Sequence, residues 1–214
     1  MDAVVSVVIC LAVGYIFGCF STAYFVGKAH GIDIRKEGSG NLGSTNALRT
    51  LGVKAGLMTF VGDFSKAVIP IFVLRYAIYT SAPEYAEYGM LMAMWIGLGV
   101  VLGHNFPCWL HFKGGKGIAV TAGVILAIAD WPVIVCGLLI FVIIVFLTRY
   151  VSLGSLIVAF YLPVNMFLYQ RENPFFTYML VVSLIFTALA FFQHRSNIVR
   201  LLHGEERKVG EKKQ

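Results

Sequence analysis

The 214-residue chain is 58% hydrophobic and 13% charged, with a formal net charge of +6 and a mean hydropathy of +0.80. Soluble domains carry roughly 25% charged residues, and a charge is costly at a bilayer centre. The composition therefore excludes an ordinary soluble globular domain and points to an integral membrane protein. The four cysteines, Cys10, Cys19, Cys108 and Cys136, are scattered without C-x-x-C spacing. They read as small apolar residues rather than disulfides or metal ligands.

Met1-Asp2-Ala3 lacks the basic start of a cleavable signal peptide, and the first apolar run is long enough to span. A spanning helix needs about 20 apolar residues. Runs near 3–27, 56–79, 87–104, 115–130, 131–149, 153–170 and 174–193 are candidates. The fourth is short and is joined to the fifth by Asp130-Trp131-Pro132 alone. It is either a tilted crossing helix packed among others or part of a re-entrant hairpin, which would leave five spans and two half-helices. The predicted fold is an all-α integral membrane protein with seven transmembrane helices, helices 4 and 5 being the pair that could be partial. Residues 1–200 form one transmembrane domain and 201–214 a charged cytoplasmic tail.

Loop charge orients such a chain. Lys28, Arg35, Lys36, Arg49 and Lys54 follow the first span, Lys113 and Lys116 follow the third, and Arg149 follows the fifth. Arg195, Arg200, Arg207, Lys208, Lys212 and Lys213 follow the last. With seven spans these fourteen of the 17 Lys+Arg share one side. That bias predicts an outside N-terminus and a cytoplasmic C-terminus, with a basic cytoplasmic face suited to anionic headgroups or metabolites. Lys66 lies inside the second span, three residues from Asp63 and on the same helix face. The two are either a mutually neutralised structural pair or a support for a site.

Four polar clusters fall on the predicted cytoplasmic side. In the first, Gly38-Ser39-Gly40-Asn41-Leu42-Gly43-Ser44-Thr45-Asn46-Ala47-Leu48-Arg49, the glycines allow backbone N–H groups to form an anion nest. Ser39, Ser44 and Thr45 add hydroxyls, and Arg49 can grip two phosphate oxygens. A flexible linker is the plain alternative. In the second, Pro107 ends a helix, and Lys113-Gly114-Gly115-Lys116-Gly117 leads into the helical run starting at Ile118. Free N–H groups at that helix start, with two lysines, suit an anion. The loop lacks the P-loop pattern G-x-x-x-x-G-K-[ST], and taken alone it also reads as a tight turn carrying positive-inside charge. His104 and His111 have no third ligand type nearby that would indicate a metal. The third cluster is Thr148 to Ser155 and the fourth Gln193-His194-Arg195-Ser196-Asn197. His194 and Asn197, three apart, can face one cavity from a helix end, or His194 is an interfacial polar residue. The four aspartates, at 2, 33, 63 and 130, do not cluster, which disfavours Mg²⁺-dependent phosphoryl transfer. Together the clusters look like one site for phosphate-bearing ligands.

The stretches "GSGNLGSTNALR", "GHNFPCWLHFKGGKGIAVTAG", "RYVSLGS" and "HRSNIVRLLHGEE" resemble, in order, the motifs of the bacterial acyl-phosphate-dependent glycerol-3-phosphate acyltransferases, the PlsY family. The resemblance implies a seven-span inner-membrane enzyme acting at the cytoplasmic face. It implies transfer of a fatty acyl group from acyl phosphate, not acyl-CoA, to the sn-1 hydroxyl of glycerol 3-phosphate, giving lysophosphatidic acid and phosphate. Residue by residue, it implies catalytic roles for Ser39, Arg49, His194 and Asn197. Lys113, Gly114, Gly115, Lys116 and Gly117 match the glycerol 3-phosphate loop, and Ser152 matches a polar position lining the pocket. Glu205, rather than Glu206, is the better match to a structural glutamate. Gly40, Asn41, Thr45 and Asn46 join the expected phosphate-binding set. The expected partners are the two substrates and the lipid bilayer, with no cofactor, metal or nucleic acid and with a monomeric chain sufficing. One point stands apart from the resemblance. The residues five after His30, His104, His111, His194 and His203 are Arg35, Trp109, Lys116, Val199 and Lys208, so the H-x-x-x-x-D pattern of acyl-CoA-dependent acyltransferases does not occur.

The chemistry then requires positioning and charge stabilisation more than covalent catalysis. The hydroxyl proton goes either to His194 as general base or, preferred, to a substrate phosphate oxygen. An anion carrier is the alternative class. It fits less well because the polar clusters sit on one face rather than at the midplane.

Overall fold

The computed structural model describes residues 3–211. Met1 and Asp2, read above for a leader, and Lys212 and Lys213 of the basic tail lie outside the described residues. All regular structure within them is helical. Six segments are long and apolar enough to cross a membrane: Val4–Ala29, Val53–Ser81, Tyr88–Leu110, Trp131–Thr148, Val151–Tyr169 and Phe176–Gln193. The predicted fourth span is shorter than expected, an 11-residue helix, Ile118–Ile128. At about 1.5 Å per residue it extends roughly 16 Å, about half of a ~30 Å hydrocarbon core. The backbone at Gly117, with φ +81°, precedes it, and Asp130 followed by Pro132 in the first turn of the next helix ends it.

The chain divides into two compact units, Met1–Ile128 and Ala129–Gln214. The first contains α1 (Ala3–Cys19), α2 (Thr22–Ala29), α3 (Ser44–Leu51), α4 (Val53–Ser81), α5 (Ala86–Asn105) and α6 (Ile118–Ile128). Helix α5 is its most enclosed element, packed by α1, α4 and α6. Glycines explain the α1–α5 contact. Cβ atoms at Gly14 and Gly18 would collide with the backbone at Ile96 and Val100, and at Gly99 and Gly103 with that at Leu11 and Tyr15. Two G-x-x-x-G faces thus bring the helix backbones together, as small residues do where helices associate in lipid. A Gly18→Ala substitution is expected to cost about 2 kcal/mol through overpacking, read as a lower thermal midpoint in detergent. An unchanged midpoint would contradict this close approach.

The expected continuous first span, 3–27, is in fact broken at Phe20-Ser21, where Ser21 is extended (φ −106°, ψ 102°). A helix end leaves carbonyls without intrahelical partners. Here Trp109 Nε1 donates to the Cys19 carbonyl (2.8 Å) and Lys66 Nζ to that of Phe20 (2.6 Å). The break is fixed by tertiary partners, not by a local breaker residue.

The second unit contains α7 (Trp131–Thr148), α8 (Val151–Tyr169), α9 (Phe176–Gln193) and α10 (Arg195–Leu202). Helix α8 packs against α7 and α9. Helix α7 is apolar on every side and buries little beyond Val133 and Gly137, the pattern of a helix solvated by lipid.

Candidate active site

In the first unit the 38–49 stretch is folded rather than a flexible linker. Asp33 caps the short 3₁₀ helix Ile34–Lys36 by accepting from the Arg35 N–H. Ile34 and Leu42 pack with Ala23, Ala47 and Leu110 in one buried cluster, which ties the loop to α2, to α3 and to the segment after α5. Asn46, expected to bind phosphate, is committed to the loop instead. Its Oδ1 accepts from the Ser39 N–H (2.8 Å), and its Nδ2 donates to the Ile34 and Glu37 carbonyls (3.3 and 3.1 Å). Both amide protons are thereby used, so Asn46 shapes the loop. The Gly40 N–H, another expected anion donor, goes to the Glu37 carbonyl (2.9 Å). Gly38 sits at φ +61° with Asn46 Oδ1 where a Cβ would stand. Asn41 and Thr45 are half-buried, while Ser39 and Arg49 are exposed. Arg49 projects from the last turn of α3.

The Gly-Lys loop follows a strained turn. His111 and Phe112 both adopt left-handed backbone, φ 56° and 59°, costing of order 1 kcal/mol or more each. The Leu110 and Phe112 N–H groups both donate to the Pro107 carbonyl at 3.0 Å and hold the turn. Gly114 and Gly115, expected to offer free N–H groups, donate instead to the Asn105 (3.1 Å) and His104 (3.0 Å) carbonyls. They cap the C-terminal end of α5. By helix geometry the donors left for an anion are those of the first turn of α6, flanked by exposed Lys113 and half-buried Lys116. Gly117 is buried beside the Asn105 side chain. A Cβ at Gly115 would meet the Leu42 carbonyl at 2.8 Å and collide with His104 Nε2. The two loops read as phosphate-shaped in the sequence therefore touch.

The second unit joins the other two clusters. Glu206 Oε1 accepts from Ser152 Oγ (3.0 Å) and Asn197 Nδ2 (2.6 Å), and its Oε2 accepts from Arg200 Nε (2.7 Å). Glu205 is exposed and Glu206 buried, so the structural glutamate is Glu206, a correction to the expectation. In a tail without periodicity the sequence carries no signal separating the two. Ser152, expected to line a phosphate site, donates its proton to this carboxylate. His194 is buried and donates Nδ1–H to the Ala190 carbonyl (2.8 Å). That bond assigns the proton to Nδ1 and leaves the lone pair on Nε2. The tail is also tied down at Arg149, whose Nη2 donates to the Val209 carbonyl (2.7 Å) and whose own carbonyl accepts from the Val209 N–H (2.9 Å).

Burial pushes the Glu206 carboxyl up, but hydrogen bonds from Asn197, Arg200 and Ser152, with the Arg200 charge, outweigh it and hold the group below its ordinary 4.5. A lowered folded-state value gives stability that is fully present above the unfolded value of 4.5 and lost as pH falls through the folded one. Glu206→Gln is expected to cost about 2 kcal/mol at neutral pH through lost charge-assisted hydrogen bonds. The wild-type advantage in thermal midpoint should shrink on acidification below that range. An advantage independent of pH would contradict the ionised cluster.

A family model described as "Glycerol-3-phosphate acyltransferase" matches residues 8–204. The chain belongs to the PlsY family of glycerol-3-phosphate acyltransferases. It is 41% identical over 210 residues to the glycerol-3-phosphate acyltransferase of Clostridioides difficile (strain 630), covering 98% of each chain. It is 44% identical over 199 residues to that of Alkaliphilus metalliredigens (strain QYMF), covering 92% of this chain and 93% of the other. A crystal structure of PlsY, an integral membrane glycerol 3-phosphate acyltransferase in its glycerol 3-phosphate form, superposes with a TM-score of 0.81 at 33% identity over 96% of both chains. The lysophosphatidic acid form of the same protein gives 0.78. The comparisons support a multi-pass integral membrane acyltransferase.

Proposed function

We propose that the protein transfers a fatty acyl group from acyl phosphate to the sn-1 hydroxyl of glycerol 3-phosphate, releasing lysophosphatidic acid and phosphate. The observation that carries this reading is the contact of the two phosphate-shaped loops at Leu42 and Gly115, with Arg49, Lys113 and Lys116 on the same unit, in a chain of this family. Lys113, Lys116 and the first turn of α6 hold the glycerol 3-phosphate phosphate. Arg49 and Ser39 hold the phosphate of the acyl donor, with Asn41 and Thr45 orienting it.

The glycerol hydroxyl oxygen attacks the acyl carbonyl carbon. The bond from that carbon to the phosphate oxygen breaks, and the hydroxyl proton passes to a phosphate oxygen. Nε2 of His194 then accepts a hydrogen bond from that protonated phosphate oxygen, beside Asn197. The His194 Nδ1–H goes to a carbonyl rather than a carboxylate, so that bond supplies no counter-charge to favour an imidazolium, which supports the phosphate as base. His194→Ala is accordingly expected to keep the acidic limb of the kcat–pH profile. Loss of that limb would make His194 the base.

The charge bias supports an odd number of crossings by the 1–200 domain, seven when the short α6 is counted, with the N-terminus outside and the tail 201–214 and the reacting groups cytoplasmic, in a bacterial inner membrane. A monomer without metal suffices for this chemistry. The test is the purified protein with glycerol 3-phosphate and either acyl phosphate or acyl-CoA, assayed for ester and released phosphate. Ester from acyl phosphate alone is expected. Ester from acyl-CoA alone, or phosphate counterflow in liposomes without ester, would overturn the proposal.

A further inference from the structure

Lys66 carries three ammonium protons and meets three acceptors: Asp63 Oδ1 at 3.0 Å, the Phe20 carbonyl at 2.6 Å and His104 Nδ1 at 2.9 Å. An ammonium only donates, so Nδ1 of His104 is the accepting nitrogen and the ring proton sits on Nε2. Asp63 also accepts from Thr22 Oγ1 at 3.1 Å. The three titratable side chains are almost fully enclosed, at 6%, 1% and 4% exposure for Lys66, Asp63 and His104. Apolar residues of similar volume often fill such a place with equal or greater stability, so packing alone does not account for the group. Its far end shows what it holds. The Nε2 edge of His104 lies against Gly115 with no room for a Cβ, and the His104 carbonyl accepts the Gly115 N–H at 3.0 Å. One chain of contacts thus runs from α4 through the His104 ring to the residue preceding Lys116.

We propose that Asp63, Lys66 and His104 are positioning residues for glycerol 3-phosphate: Asp63 anchors the ammonium, the ammonium fixes the His104 ring, and the ring sets the Gly-Lys loop. They act through the loop rather than on substrate. This deepens the proposed function and rests on the loop being the glycerol 3-phosphate site.

His104→Asn tests it, because Asn Oδ1 can accept from Lys66 in place of Nδ1 while the ring edge behind Gly115 is removed. The expected result is a KM for glycerol 3-phosphate raised on the order of tenfold or more. The KM for acyl phosphate and kcat should stay within about threefold, the signature of lost binding of one substrate. Calorimetric titration with glycerol 3-phosphate, without acyl donor, should show the same rise in Kd. Asp63→Asn combined with Lys66→Gln removes both buried charges together and should give the same selective loss, whereas Lys66→Arg, which keeps charge and donors, should restore most of the affinity. An unchanged Kd, or equal losses in kcat and both KM values alongside a lower thermal midpoint, would reduce the group to a structural role. The underlying reading fails separately, if the wild-type protein does not bind glycerol 3-phosphate in the same titration.

Discussion

Arg49→Ala is expected to lower kcat/KM on the order of 10³-fold while leaving the thermal midpoint nearly unchanged. The two halves of this expectation have different sources. Arg49 is an exposed residue in the last turn of an eight-residue helix, so truncating it uncovers little apolar surface. That helix is itself firmly placed. Ala47 is fully buried in the cluster with Ile34 and Leu42, and Leu48 packs on Gly56 of α4 closely enough that a Cβ there would meet Leu48 Cβ at 2.7 Å. A fixed helix gives the side chain a fixed origin before substrate arrives, and donors aimed at developing charge are worth roughly 10²–10³ in rate each. Acyl transfer develops negative charge on the carbonyl oxygen and on the departing phosphate, and a fork of parallel N–H donors matches two phosphate oxygens. Arg49→Lys keeps the charge but not the fork and should recover less than about a tenth of the lost activity. Steady-state kinetics in acyl phosphate beside thermal unfolding in detergent decides it. Activity within threefold of wild type would remove Arg49 from the phosphate site.

Six of the seven predicted spans were readable because lipid demands long apolar helices, and the loop-borne basic residues were readable because they cannot enter it. What escaped the reading has a common cause: non-local partners set it. Nothing at Phe20-Ser21 breaks a helix by itself. The carbonyls exposed there are taken by Trp109 and Lys66, one about 90 residues away along the chain. The close crossing of α1 on α5 did have a signal, the paired spacings Gly14/Gly18 and Gly99/Gly103, which a search for small-residue faces would have found. Asn46 and the Gly114 and Gly115 N–H groups looked available for phosphate because residue type predicts hydrogen-bonding capacity, not which partner uses it. Glu206 and Glu205 are chemically identical neighbours, and only the position of the tail relative to Ser152, Asn197 and Arg200 distinguishes them.

Gly115→Ala should reduce kcat/KM for glycerol 3-phosphate by about 10²-fold, the loss expected when a binding loop is displaced by about 1 Å. One methyl group has that leverage because both of its neighbours resist it. The Leu42 carbonyl is backbone of the first loop, held by buried Leu42, and the His104 ring is held by Lys66. Real interiors admit extra carbon only by moving something, and the part free to move is the Gly-Lys loop with its two lysines. The defect should therefore fall on KM for glycerol 3-phosphate more than on kcat or on the acyl donor. It should also depend on His104. In a double-mutant cycle, Gly115→Ala combined with His104→Asn should show a coupling of at least about 0.5 kcal/mol, as residues in contact do. Only the ring collision is relieved in that background, and the Leu42 carbonyl still opposes the new methyl, so the relief should be partial. Strict additivity would mean that the ring does not bear on the loop, and complete relief that the Leu42 carbonyl does not. Partial relief confined to glycerol 3-phosphate is the pattern expected of a loop pressed between two supports.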